Sequence, residues 1–248
     1  MSALVPSVVV LARATSTLDV LHELAHGGAP AGSAVVAEEQ VGGRGSRGRR
    51  WVSPPGGLWL SVLARPAAAG IELLGLRAGL AVAEALDRMG LAGRVRLKWP
   101  NDLVLDERKT GGILCEARWQ GTSLAWVAIG LGLNVTNPPP PELERTATCL
   151  AAAQPSLTAG ALVAPMVEAL RAVDAGGGRL TDDERARYAR RDWLRGRVLR
   201  APIAGTAQGL AADGGLLVRC ADGSTVALRA GTVVLAGPSP AADLSSCS

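Results

Sequence analysis

Helical periodicity stops near residue 191, and this change of texture most limits what the chain can fold into. Before that point, short β-like runs alternate with amphipathic stretches. After Gly196, only short β runs remain, separated by turns such as Asp213-Gly214-Gly215 and Asp222-Gly223. Alternating elements predict an α/β or α+β domain, and closely spaced strands with glycine turns predict a small all-β barrel. The expected domains are 1–192 and 193–237, followed by a loose tail over 238–248. In the first domain, Ser16-Thr17 precede Leu18, Leu21, Leu24 and Ala25 at helical spacing and read as an N-cap. Further helices are expected over 71–89, 159–173 and 182–191. Strands are expected over 8–11, 34–37, 58–64 and 95–99, with a hairpin joining 113–119 to 124–133. Asn101-Asp102 suits a turn, and the four prolines 138–141 a stiff loop.

With 48% hydrophobic residues in 248, the chain can bury a sizeable core, which excludes global disorder. No apolar run approaches the roughly 18 residues of a membrane span. The first apolar stretch, Val8–Ala12, is short and has no basic residue before it, so no signal peptide is expected. Cys115, Cys149, Cys220 and Cys247 are widely spaced and form no C-x-x-C pair. Free thiols, no structural metal and a cytoplasmic location follow as expectations, with no membrane partner.

The net charge of +4 is mild, but its distribution is uneven. No acidic residue lies between Glu39 and Glu72, where Arg44, Arg47, Arg49, Arg50 and Arg65 fall. Residues 42–50, GGRGSRGRR, alternate glycine with arginine and form no regular element. Glycine lets backbone N–H groups approach an anion, and the guanidiniums neutralise it. A solvated basic loop is an equally open reading of the composition. Lysine occurs only at Lys98 and Lys109, in a chain that otherwise uses arginine. The two cations are not interchangeable in a tight site, so both lysines are candidates for a specific role. Lys98-Trp99-Pro100-Asn101-Asp102 and Lys109-Thr110-Gly111-Gly112 surround them with turn residues. In Gly130–Asn134 glycine alternates with other residues, which lets a ligand approach the strand closely. His22 and His26 lie one helical turn apart, but no third ligand is evident; they read as solvated.

Four segments in this order, GGRGSRGRRW, KWPNDLVL, KTGGILCE and IGLGLNV, resemble the biotin protein ligases. The resemblance covers essentially the whole chain. It implies a mixed β-sheet domain flanked by helices, of the class II synthetase kind, with an SH3-like C-terminal domain. It also implies a two-step reaction. Biotin and ATP with Mg²⁺ give biotinyl-5′-AMP, and a lysine of a biotin carboxyl carrier domain then takes the biotin. By the same resemblance Lys109, Arg44 and Asp102 would be catalytic. Ser16, Thr17, Leu18, Gln40, Arg44, Gly45, Ser46, Lys109, Gly111 and Gly112 would surround biotin. Arg47, Arg49, Trp51, Asn101 and Asn134 would hold the nucleotide, and Asp102 the Mg²⁺.

Two residues depart from the family pattern. Leu18 stands where asparagine is common, and Ser46 where a third loop arginine is usual. Weaker retention of the adenylate is therefore expected, with Arg47 as a possible compensation. The chain starts almost at the first catalytic strand, so sequence-specific DNA binding is not expected. A lipoate or octanoate ligase is the nearest rival. A non-catalytic anion- or RNA-binding module and a degenerate ligase are the others. Scarce aromatic residues weaken the RNA reading.

Overall fold

The computed structural model describes residues 5–66, 70–173 and 177–236. The expected tail and Cys247 lie outside them, and the other three cysteines are unpaired. The first domain is built on β1 (Val8–Ala14), β2 (Ala34–Gln40), β3 (Leu58–Ala64), β4 (Val95–Lys98), β5 (Asp102–Leu105), β6 (Arg108–Gln120) and β7 (Ser123–Leu133). They form one sheet in the order β1-β2-β3-β7-β6-β5-β4. Only β1 and β2 pair in parallel, so the sheet is mixed as expected.

Helices α1 (Thr17–His26), α2 (Leu74–Leu86), α3 (Ala159–Arg171) and α4 (Asp182–Arg191) flank the sheet. Ser16 caps α1 through its side chain, and Thr181 with Glu184 forms a reciprocal capping box on α4. The expected helix over 71–89 begins with a 3₁₀ turn and loses helical geometry at Met89 and Gly90.

Period-two alternation divides β6 and β7 between two faces. Ile113, Ile129 and Leu133 join the large core beneath α2 and α3. Trp126 and Ala128 instead pack with Leu18, Leu21 and Ala25 of α1. Helix α1 covers only part of this second face, and the uncovered part becomes the cavity floor.

Asp102–Leu105 is a strand rather than the continuation of a turn. It pairs with β4 and with β6, and the β5–β6 connection is Asp106-Glu107, both at positive φ. A hairpin turn of this kind favours glycine or asparagine, so the sequence lacked its usual signal.

Strands β8 (Val198–Ala201), β9 (Gly205–Leu210), β10 (Leu216–Arg219), β11 (Thr225–Leu228) and β12 (Val234–Leu235) form a five-stranded antiparallel sheet that fits a small SH3-like domain. Glycine-containing β9 had no recognisable strand pattern. Leu199, Ala207, Leu216 and Val218 share the large buried cluster. The Trp99 indole donates to the Gly214 carbonyl at 3.0 Å, fixing this sheet beside the β4–β5 turn.

Candidate active site

A cavity of about 760 Å³ opens on the sheet face that α1 leaves uncovered. Its floor contains Gly112, Gly130 and Gly132. Gly112 lies directly opposite Gly132, and Leu114 opposite Gly130. Glycine at alternate positions removes side chains from one face, so a flat ligand can lie on the backbone. A Cβ on Gly132 would come within 2.9 Å of the Trp51 indole nitrogen, so Trp51 rests on this position. Gly111 faces the opposite way. A Cβ there would meet Leu133 at 2.5 Å, so this face of Gly111 is set against the core, while Gly112 lines the cavity.

One end of the cavity is polar but uncharged. The backbone N–H of Thr17 donates to Gln40 Oε1 at 2.8 Å, and the Thr17 hydroxyl does so at 3.1 Å. That hydroxyl also meets Ser61 Oγ at 2.7 Å. Gln40 Nε2 donates to Ser53 Oγ at 2.9 Å, and Ser53 donates to the Trp51 carbonyl. The amide orientation of Gln40 is thereby fixed from both sides. Ser53 and Ser61 carried no sequence motif; β-strand register brings them here.

The basic loop crosses this end as an irregular hairpin, with Arg44 bridged to Arg50 and Gln40 to Ser53. Gly43 must be glycine, since a Cβ would stand 2.5 Å from the Trp51 carbonyl. Gly45, Ser46 and Arg49 line the cavity with Arg44. Arg47 does not; it adopts φ 62° and its guanidinium bonds Thr232 of the C-terminal domain. Its guanidinium is thus engaged outside the cavity lining. Arg49 is the arginine held beside Ser46, because its Nη2 donates to Ser46 Oγ at 3.1 Å.

Arg44 corrects a second expectation. Its guanidinium bonds Asp19 at 2.7 Å and Glu116 at 3.2 Å. The Asp19 hydrogen bond is the largest cause holding it more firmly protonated than a free arginine. Two carboxylates neutralise its charge, so it reads as a strut tying the loop to α1 and β6 rather than as a free cation for a reacting group.

Lys109, Lys98, Asp102 and Trp51 gather elsewhere along the wall. Lys109 Nζ pairs with Asp102 and lies 5.0 Å from the Trp51 ring centroid. Lys98 stands over the Trp193 ring at 5.3 Å. Burial, followed by the opposing attraction of Asp102 and the repulsion of Lys109 and Arg49, leaves Lys98 below the usual lysine range. Composition pointed to Lys98, but the motif reading assigned it no part. The Trp51 indole N–H is buried without a protein acceptor, against Gly132 of the floor. Asn101 and Asn134 line the cavity too, but their amides serve the protein. Asn101 donates to the Ile113 carbonyl at 2.7 Å. Asn134 donates to the Thr148 carbonyl and accepts from Asn137.

His22 is largely packed away rather than solvated, with its side chain 10% exposed; His26 is exposed as expected. Trp126 Nε1 lies 3.0 Å from His22 Nδ1, and Glu116 Oε2 lies 3.0 Å from His22 Nε2. Indole only donates, so Nδ1 accepts and Nε2 carries the proton. Burial, the largest cause, holds this imidazole below the ordinary histidine range; the Glu116 hydrogen bond opposes it and Arg118 adds to it, with Asp19 a smaller opposing influence. The unfolded state therefore binds more protons just below about pH 6.5, and stability falls as pH drops through that window. The urea midpoint of the wild type relative to His22→Gln is expected to decline from pH ~7.5 to ~5.5. A pH-independent difference would contradict this assignment.

Among the described residues no group of three metal-capable side chains occurs, and no helix is long and apolar enough to cross a membrane.

Fold and cavity together define a mixed-sheet ligand-binding domain closed by a basic loop and joined to a small β domain. The chain belongs to the Biotin/lipoate A/B protein ligase family, whose model matches residues 10–134. A second model, Biotin protein ligase C terminal domain, matches 196–236. The chain is 40% identical over 149 residues to the bifunctional ligase/repressor BirA of Bacillus subtilis, covering 56% of this chain and 44% of that protein. It is 40% identical over 134 residues to a biotin--[acetyl-CoA-carboxylase] ligase of Paracoccus denitrificans, covering 52% and 55%. The chain thus spans about half the length of the curated relatives it matches. The biotin protein ligase of Aquifex aeolicus, solved with biotin and ATP, superposes with a TM-score of 0.76 at 27% identity, covering 93% of this chain and 98% of that one. The Leishmania major biotin protein ligase, solved with biotinyl-5-AMP, gives 0.65 at 28% identity, covering 90% and 99%.

Proposed function

We propose that this chain joins biotin to ATP as biotinyl-5′-AMP, releasing pyrophosphate, and then passes the biotin to a lysine of a biotin carboxyl carrier domain, releasing AMP. The observation that carries this reading is the two-ended chemistry of the cavity. Uncharged Ser16, Thr17 and Gln40 stand at one end, and Lys98 and Lys109 elsewhere along the wall. A ureido ring needs matched donors and acceptors, whereas a carboxylate and an α-phosphate need cations. The relatives named for biotin, and the superposed structures containing biotin, ATP or the adenylate, support the same reading.

In the first step a biotin carboxylate oxygen bonds the α-phosphorus as the bond to pyrophosphate breaks. No strong base is required, because the carboxylate is already ionised. The work is to bring two anions together and stabilise charge on the phosphoryl oxygens. Lys109 is the cation for both groups, with Arg49 and Lys98 alongside. Gly45, Ser46, Leu18 and Gly112 shape the biotin space, and Trp51 packs by the adenine, with Asn101 and Asn134 at the same end. In the second step the carrier amine bonds the acyl carbon and AMP leaves; the amine must shed a proton, and Asp102 is the nearby carboxylate. Magnesium brought by ATP needs only one or two protein carboxylates, and Asp102 fits that requirement. When bound, it would neutralise phosphate charge.

A lipoyl or octanoyl chain carries no ureido group to match the polar Thr17–Gln40 end and would lay apolar surface against it. ATP–pyrophosphate exchange with biotin, lipoate and octanoate tested separately, with and without Mg²⁺, decides between them. Exchange that depends on biotin and Mg²⁺ is expected; exchange with lipoate alone would overturn the reading. Ser46→Arg is expected to slow biotinyl-AMP release about tenfold, consistent with one added charge-assisted contact. An unchanged off-rate would overturn the expectation that Ser46 weakens retention of the adenylate.

A further inference from the structure

We infer that His22 is a positioning residue, whose neutral Nε2–H orients Glu116 so that Glu116 and Asp19 together clamp Arg44 and hold the loop wall of the cavity. The consequence for biotin rests on the function proposed above; the mechanical claim does not.

The argument begins with α1. Ser16 and Thr17 stand at its start, Asp19 follows in the first turn, and His22 lies three residues later. Positions three apart share a helix face, so Asp19 and His22 look the same way. Glu116 on β6 completes the set. Arg44 Nη1 donates to Asp19 at 2.9 Å and Nε donates to Glu116 at 3.2 Å. Two carboxylates from different elements fix the guanidinium plane in a way one could not.

Glu116 has three side-chain torsions and needs its own anchor. Its Oε2 accepts from His22 Nε2 at 3.0 Å. Arg118 also approaches Oε2 at 3.5 Å, but its side chain is 48% exposed and holds less firmly. His22 is in turn fixed by the Trp126 indole, whose ring centroid lies 5.6 Å from the Arg65 guanidinium. The chain of contacts runs Trp126, His22, Glu116, Arg44, and ends on the loop backbone that pairs with Arg50 and precedes Ser46 and Arg49. A charged His22 would set an N–H against the indole N–H, so the device works with the neutral ring. Leucine at position 22 would fill the space but release Glu116. Glutamine can set an amide N–H where Nε2 stands.

Wild type, His22→Leu, His22→Gln, Glu116→Gln and the His22→Leu/Glu116→Gln double variant are compared in two measurements. The first is the rate of trypsin cleavage within 44–50 without ligand. The second is biotin-dependent ATP–pyrophosphate exchange. His22→Leu is expected to raise cleavage and raise the biotin KM about tenfold, with kcat within about twofold. Glu116→Gln should reproduce both effects, the double variant should add little to either, and His22→Gln should match wild type. Wild-type cleavage in folded His22→Leu, or equal impairment in His22→Gln, overturns the inference in favour of simple packing. If His22→Leu does not fold, Glu116→Gln and His22→Gln decide by the same criteria. Absence of biotin-dependent exchange in wild type would instead overturn the proposed function, and the trypsin comparison would still decide the role of His22.

Discussion

Lys109→Ala is expected to lower biotin-dependent ATP–pyrophosphate exchange by about two to three orders of magnitude, the usual cost of removing one preorganised charge-stabilising donor. Lys109 Nζ pairs with Asp102 and lies 5.0 Å from the Trp51 ring centroid, on the cavity wall that the proposal gives to the biotin carboxylate and α-phosphate. Removing the ammonium leaves Asp102 offset only by the attraction of Lys98 while it faces two anions. The effect should fall on kcat as well as KM, because charge on the phosphoryl oxygens grows in the transition state. Lys109→Arg should rescue little, since a wide planar fork cannot take the place of a compact ammonium between Asp102 and Trp51. The melting temperature should change only slightly, because the lysine side chain is about one-third exposed and such pairs contribute little to stability. Steady-state exchange and thermal melting measure both. A folded Lys109→Ala variant within about threefold of wild type would remove Lys109 from the proposed chemistry.

Gly132→Val is expected to abolish most ligand binding in a chain that still folds. The position lies in β7 opposite Gly112, on the cavity floor. The nearest atoms to an added Cβ all belong to Trp51, from 2.9 to 3.5 Å. The indole must therefore leave its seat, while the core face of β7 keeps Ile129 and Leu133. Valine suits a strand, so backbone propensity does not oppose the change. Biotin or ATP affinity measured by calorimetry should fall at least about tenfold, equivalent to about 1.4 kcal/mol. Gly111→Val is the useful contrast. Its Cβ would meet Leu133 at 2.5 Å and the Gly132 carbonyl at 2.7 Å, so it should lose stability before it loses specificity. If Gly132→Val bound both ligands normally, the floor would not be where they lie.

Much of the site could be read in the chain because motif and local geometry coincide there. Gln40, Gly45, Ser46, Lys109 and Gly112 line one cavity, as the motif order implied. The N-cap at Ser16 and the long hairpin of β6 and β7 followed from capping chemistry and alternation. Strand β5 was hidden by a hairpin turn made of Asp106-Glu107, and β9 by its glycines. Neither carries the local signal on which strand reading depends.

What the sequence by itself determined was the order of elements, the alternating glycines of the floor, the basic loop and the scarcity of lysine. These are properties of neighbouring residues, and short-range sterics and hydrogen bonding are enough to express them. What only the tertiary structure decided was the direction in which each charged side chain points. Arg44 and Arg47 are three residues apart in one basic loop. One is held by Asp19 and Glu116, 25 and 72 residues away, and the other reaches Thr232, 185 residues away. His22 likewise became a neutral hydrogen-bond donor only because Trp126 and Glu116 were folded against its two nitrogens. Charge and protonation state depend on which distant groups share the same few ångströms, and that is fixed by packing rather than by spacing along the chain.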